Sequence, residues 1–171
     1  IFFRWPLFFI SRNNFLFFAG GGNVHKGLDL LLEAFERSNS HLYICQSVDP
    51  NFYKIYEHEL TDYSNIHLIK YIQMRSQQFY ELVNKCAYLI YPSCADGSPG
   101  AVVECMHQGL IPVLSQEATI NVDRIGFMIK KISVNKIADI VNRLSLLSPK
   151  LCQNLSETTY EENINYYSDK L

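Results

Sequence analysis

The sequence predicts an α/β domain: a doubly wound, mostly parallel sheet of about six strands with helices on both faces. Three observations carry that prediction. Short, continuously apolar runs alternate about six times with stretches whose apolar residues recur at helical spacing. The runs are apolar at successive positions rather than at every second one, which marks strands buried on both faces, as in parallel sheets covered by helices. Over 171 residues, 48% are apolar and 19% charged, enough apolar side chain for a sizeable core and too little charge for a disordered chain.

Each element follows in order. Phe15-Leu16-Phe17-Phe18-Ala19 is the first strand and runs into Gly20-Gly21-Gly22. Leu28, Leu31, Leu32 and Phe35 form one stripe of a helix from about Lys26 to Arg37. Leu42-Tyr43-Ile44-Cys45 is the second strand; Pro50 ends the connection, and Phe52 to Leu60 reads as a short helix. Ile66 to Tyr71 is the third strand, followed by a helix from Ser76 to Lys85 with Ser76 as its N-cap. Ala87-Tyr88-Leu89-Ile90-Tyr91 is the fourth strand, stopped by Pro92, and Gly100 to Gly109 is a helix closed by its glycine. Ile111-Pro112-Val113-Leu114 is the fifth strand and Phe127-Met128-Ile129 the sixth. Ile137, Ile140, Val141 and Leu144 give another helical stripe, and the polar tail from Leu151 reads as a last helix.

Charge and cysteine content narrow the function classes. With 15 basic and 17 acidic side chains the net charge is -2, which provides no field to draw in nucleic acid or an anionic membrane surface. Arg4, Arg12 and polar residues interrupt the apolar stretches well short of the roughly 18–20 residues a membrane helix needs. The five cysteines, Cys45, Cys86, Cys94, Cys105 and Cys152, are odd in number and contain no C-x-x-C pair, so neither a disulfide framework nor a zinc site is expected. A reduced, cytoplasmic protein is the expectation. The chain opens on the oily stretch Ile1 to Ile10, which lacks the basic start and small-residue cleavage site of a signal peptide. It reads as the cut end of a longer protein; the alternative is an ordinary first strand.

Ligands of doubly wound sheets bind at the carboxyl ends of the strands, near the topological switch point. Two such loops carry chemistry. In Gly20-Gly21-Gly22-Asn23-Val24-His25-Lys26-Gly27, glycines let the backbone approach a ligand and offer N–H donors, while Lys26 adds charge at the helix start. That suits a phosphate or diphosphate, although any tight turn can use glycine. A Walker loop is excluded, because Lys26 is followed by Gly27 and Leu28 with no hydroxyl for magnesium. A dinucleotide fingerprint is excluded too, because position 25 is not glycine and Cys45-Gln46-Ser47 has no carboxylate for a ribose. The second loop, Pro92 to Gly100, runs into the helix of Ala101-Val102-Val103-Glu104. Asp96 stands just before that helix, and Glu104 stands one turn inside it, where a carboxylate can accept two hydrogen bonds from a vicinal diol. Taken singly, Asp96 also suits a helix cap and Glu104 a solvated surface.

The combination resembles one family. Lys26-Gly27, then Pro92-Ser93-x-x-Asp96-Gly97, then Glu104 eight residues after Asp96, then Met106, Gly109 and Ile111-Pro112-Val113 is similar to the nucleotide-binding C-terminal domain of a GT-B glycosyltransferase of the GT4 type. The likeness runs from about Phe15 to Ile129, and Asp96 takes the place of the first glutamate of the E-x7-E spacing. The resemblance implies a donor site for a nucleoside diphosphate sugar. Gly20, Gly21, Gly22, Lys26 and Gly27 would hold the diphosphate. Gly97, Ser98, Pro99, Gly100 and Ala101 would hold the distal phosphate and sugar, Asp96 the sugar hydroxyls, Glu104 the ribose, and Tyr71 and Ile72 would line the nucleobase pocket. Lys26, Asp96 and Glu104 are the expected catalytic residues. Where many relatives carry a second phosphate cation, an arginine, this chain has Gly21; where the loop after the third strand usually has glycine, it has Lys70.

On that resemblance residues 1–14 are an interdomain segment or truncated connection and residues 15–171 the nucleotide-sugar-binding C-terminal domain. The implied function is hexosyl transfer, with retention and without a metal or other cofactor, to a glycan or lipid-linked acceptor in polysaccharide biosynthesis. The acceptor would be held by a missing N-terminal domain, through which alone a membrane surface would be touched. This chain alone would be inactive. The alternatives are half of a sugar-nucleotide 2-epimerase and, from a different class, a non-catalytic nucleotide-sugar-binding module. A flavodoxin-like or receiver-type domain would need acidic clusters or flavin loops that the sequence does not have.

Overall fold

The computed structural model describes residues 11–69, 71–97 and 99–168; the segment from Ile1 to Ile10 with Trp5, and Lys70 and Ser98, lie outside the described residues, as do the side chains of Ser11 and of residues 164–168. The elements run β1 (Ser11–Phe18), α1 (Leu28–Glu36), β2 (His41–Cys45), α2 (Pro50–Ile55), α3 (Glu57–Thr61), β3 (Ile66–Ile69), α4 (Gln77–Val83), β4 (Cys86–Tyr91), α5 (Gly100–His107), β5 (Ile111–Ser115), β6 (Phe127–Ile129), α6 (Val134–Ser145) and α7 (Pro149–Ser168). All six strands are parallel, in the order β3-β2-β1-β4-β5-β6. The predicted doubly wound sheet is present, with its switch point between β1 and β4.

Alternation along β1 explains the two-sided cover. Phe15 and Phe17 point to one face, where Phe15 meets Phe35 of α1 edge-on at 5.5 Å and lies against Tyr88 at 4.7 Å. Phe18 points to the other face and meets Phe79 of α4 edge-on at 5.6 Å. A strand sandwiched in this way must be apolar at successive positions, which is why β1 and β4 show no polar alternation. Phe15 through Phe18 and the whole of β4 are buried. The α6 stripe of Ile137, Ile140, Val141 and Leu144 is buried as well, and α6 packs on α1. The Tyr88 hydroxyl resolves its burial by donating to the Leu144 carbonyl at 2.9 Å.

The structure departs from the sequence reading at three element boundaries. The helix expected over Phe52 to Leu60 is two short helices broken at Tyr56. The first begins two residues earlier, because Asp49 caps the N–H groups of Asn51 and Phe52 and Pro50 occupies the first helical position. The third strand stops at Ile69, short of Tyr71. The first strand begins at Ser11, four residues before Phe15, with its pairing to β4 shifted between Ser11 and Phe15. Its polar lead, Ser-Arg-Asn-Asn, hides the strand from a hydropathy reading.

Candidate functional site

Because β1 and β4 are neighbours at the switch point, the glycine loop after β1 and the loop after β4 rise from the same edge of the sheet. Their contact is built into the backbone. Gly27 is in the left-handed region (φ 80°), and a Cβ placed there would lie 2.5 Å from the Pro92 carbonyl oxygen. Only glycine combines that backbone with so close an approach. The Cys94 N–H donates to the His25 carbonyl at 2.9 Å, and the Ser93 hydroxyl donates to the same oxygen at 3.2 Å. Asn23, buried, secures the glycine loop from the other side. Its amide donates to Gln46 Oε1 at 2.9 Å, and its Oδ1 accepts from the Asp49 N–H at 2.9 Å. The Gln46 Nε2 is buried without a hydrogen-bond partner in the described structure.

The two loops bring Lys26 and Asp96 into an ion pair, each side chain 16% exposed. The Tyr91 hydroxyl donates to the same carboxylate oxygen, Asp96 Oδ2, at 2.7 Å, and the Lys26 ammonium stands 5.6 Å from the centre of the Tyr91 ring. Burial and then the hydrogen bond to Asp96 hold the Tyr91 phenol far above its ordinary range, so it acts as a neutral donor. Asp96 does not cap α5: the N-cap is Pro99, with no side-chain cap. The first N–H groups of that helix are therefore not taken by a capping side chain at the end that faces the loop.

Glu104, one turn into α5, has a side chain only 12% exposed. Both its oxygens are held by Arg75, from Nε at 2.9 Å and Nη2 at 2.8 Å. Arg75 sits in the loop after β3 with a left-handed backbone (φ 63°) and a side chain 70% exposed.

Of the predicted site residues, the structure joins Lys26 and Gly27 to the loop of Asp96. It sets Glu104 on the adjoining helix. Gly20, Gly21, Gly97 and Gly100 have open space where a side chain would be, so the backbone is accessible there. Gly22 is also left-handed, and the His25 ring packs over it. Tyr71 is exposed, Ile72 is half-buried, and Pro99 and Ala101 shape the start of α5. Three partners escaped the sequence reading: Arg75, Asn23 and Tyr91. Tyr91 had a signal, a hydroxyl at the last position of an apolar strand, where it reaches the carboxyl edge. On the β5 side a cleft of about 450 Å³ opens beside Gly97, reaching Thr119 and Glu162. The Thr119 hydroxyl donates to the Gly97 carbonyl at 2.8 Å and fixes that wall. Among the described residues no cluster of three or more His, Cys, Asp or Glu is placed to hold a metal, and no helix is long and apolar enough to cross a membrane.

A parallel sheet in this order, with two backbone-lined loops meeting at the switch point, is the architecture of one Rossmann-like half of a GT-B glycosyltransferase. The chain belongs to the glycosyl transferases group 1 family, whose pattern it matches over residues 2–162. Among solved structures it is similar to the C-terminal domain of a glycosyl transferase group 1 family protein, LpcC, from Francisella tularensis, at TM-score 0.74 and 16% identity, over 90% of this chain and 85% of that one. It is similar to WaaG, a glycosyltransferase involved in lipopolysaccharide biosynthesis, at TM-score 0.71 and 20% identity, over 90% of this chain but 43% of that one. It is also similar to TarM of S. aureus, in a mutant solved with fondaparinux, α-GlcNAc-glycerol and UDP, at TM-score 0.67 and 18% identity, over 91% of this chain and 32% of that one. The chain thus spans less than half of the WaaG and TarM chains. No curated protein matches it by sequence.

Proposed function

We propose that this chain is the donor-binding half of a retaining, GT4-type hexosyltransferase that takes a nucleoside diphosphate sugar and passes the sugar to a glycan or lipid-linked acceptor held by another domain. The observation that carries the reading is the meeting of Lys26 and Asp96 across the switch point, with Glu104 on the helix that follows. Breaking the bond between the sugar and a diphosphate loads negative charge onto the leaving group. An ammonium and preorganised backbone N–H groups at a helix start stabilise that charge without a metal. Lys26, the glycine loop and the start of α5 supply such groups. Glu104 accepts the ribose diol, and Asp96 lies where the sugar hydroxyls would be read. The bound diphosphate takes over Lys26 from Asp96, so the carboxylate that guards the cation in the free protein is released toward the sugar.

The test is calorimetry with UDP, GDP and ADP on the full-length protein and its variants. Glu104→Ala is expected to weaken the preferred nucleotide about 10-fold or more, consistent with loss of charge-assisted hydrogen bonds worth roughly 1.5–3 kcal/mol. Lys26→Ala should reduce the gap in affinity between nucleoside diphosphate and nucleoside. Unchanged affinity in Glu104→Ala refutes the ribose assignment, and equal wild-type affinity for nucleoside and nucleoside diphosphate refutes the role of Lys26. A product assay with and without EDTA tests metal independence and separates glycosylated acceptor from epimerised donor.

A further inference from the structure

We infer that Arg75 is a gate on the nucleotide: it occupies the carboxylate of Glu104 in the free protein and sets how strongly the site prefers a ribose over a deoxyribose. This rests on the donor-site reading above.

The geometry leads there directly. The guanidinium approaches Glu104 side-on, Nε to Oε1 and Nη2 to Oε2, at 2.9 and 2.8 Å. That fork uses the converging lone pairs of the two oxygens. A vicinal diol also has two donors close together, so it needs the same converging pair. The lone pairs that remain point away from each other, and two adjacent hydroxyls cannot bridge them. Arginine and diol therefore compete for one face of one carboxylate.

The competition is one the ligand can win. Glu104 is fixed on α5 and its side chain is 12% exposed, whereas the Arg75 side chain is 70% exposed on a loop. Leaving Glu104 returns the guanidinium to water, which solvates it well. An ion pair with one partner so exposed contributes little net stability. The pair holds Glu104 toward the loop after β3 until a diol replaces the guanidinium.

The readout is the ratio of affinities for a ribonucleotide and its 2′-deoxy counterpart. Removing a positive charge weakens attraction for every phosphate, but that effect falls equally on both ligands and cancels in the ratio. The probes are UDP, GDP and ADP with their 2′-deoxy forms, titrated by calorimetry into the full-length wild type, Arg75→Asn and Arg75→Lys. Asparagine tolerates a left-handed backbone, so the loop is preserved. The ribo-to-deoxy ratio is expected to rise about 3–10-fold in Arg75→Asn. It should rise less in Arg75→Lys, which keeps the charge without the fork. A ratio that is unchanged or lower in Arg75→Asn overturns the gate and leaves the donor site standing. Failure of all six ligands to bind any of the three proteins overturns the donor-site reading and the gate together.

Discussion

At the scale of single residues, the site depends on groups that do two tasks. Gly27 belongs to the candidate phosphate-binding loop, and its backbone adds a second constraint. With φ 80° and the Pro92 carbonyl oxygen 2.5 Å from where a Cβ would stand, it allows the loops after β1 and β4 to touch. Gly27→Ala is expected to destabilise the fold by roughly 2–4 kcal/mol, of which about 1–2 is the left-handed backbone and the rest the clash. Gly97 has nothing within 4 Å of its missing Cβ and an ordinary φ, so Gly97→Ala should change stability by less than about 0.5 kcal/mol. Urea unfolding of both variants checks the contrast: equal midpoints would mean that the Gly27 contact does not matter. Asp96 shows the same doubling. It neutralises Lys26 in the free protein and accepts from Tyr91, so the candidate sugar contact is also the structural partner of the candidate diphosphate contact.

At the scale of elements, legibility tracked periodicity. Strands buried on both faces and helices with a single stripe declare themselves, because burial dictates successive residues in the first and every third and fourth residue in the second. Hence β2, β4, β5, β6 and the apolar part of β1 were readable to within a residue or two, as was the Ser76 cap, whose hydroxyl accepts from the Phe79 N–H at 3.2 Å. The break at Tyr56 was not readable, since Tyr56 packs on Phe52 at 4.5 Å and leaves the apolar spacing intact across it. The edge strand β3 is another case: its sequence does not show that His67 meets His41 of β2 at 3.0 Å and the Tyr43 ring at 4.5 Å. Burial, then the neighbouring His41, holds the His67 pKa below its ordinary 6.5. A lowered base binds fewer protons folded than unfolded, so stability is intact above pH 6.5 and falls as pH drops through that value toward the folded pKa. The slope contributed by one such group stays under about 1.4 kcal/mol per pH unit. His67→Gln should flatten the loss of stability between pH 7 and pH 5. Parallel curves for wild type and variant would assign the loss elsewhere; burial holds the neighbouring Tyr43 phenol above its ordinary 10, far from that window.

At the scale of the whole molecule, the sheet is two half-sheets, and the glycine loop of one meets the Asp96 loop of the other at its carboxyl edge. The position of that edge was legible from alternation alone, and the acidic and basic residues on it from their spacing. The partners of those residues were not legible. Arg75 comes from β3, at the far border of one half, and reaches Glu104 on the helix that follows β4 in the other half, a contact no local pattern encodes. A nucleoside diphosphate that uses Lys26 and Glu104 together would bridge both halves, and anything that binds only the folded arrangement stabilises it by mass action. At 100 times its Kd such a ligand adds about 2.7 kcal/mol. For a domain of this length each kcal/mol raises the melting temperature by roughly 2–4 °C, so the preferred nucleoside diphosphate should raise it by about 5–10 °C. Inorganic diphosphate, which reaches Lys26 and the loop N–H groups but not Glu104, should give a smaller shift at the same concentration, and Glu104→Ala should bring the nucleotide shift down to the level of diphosphate. If diphosphate and nucleotide shift the wild type equally, the two halves bind only an anion and Glu104 takes no part in holding the ligand.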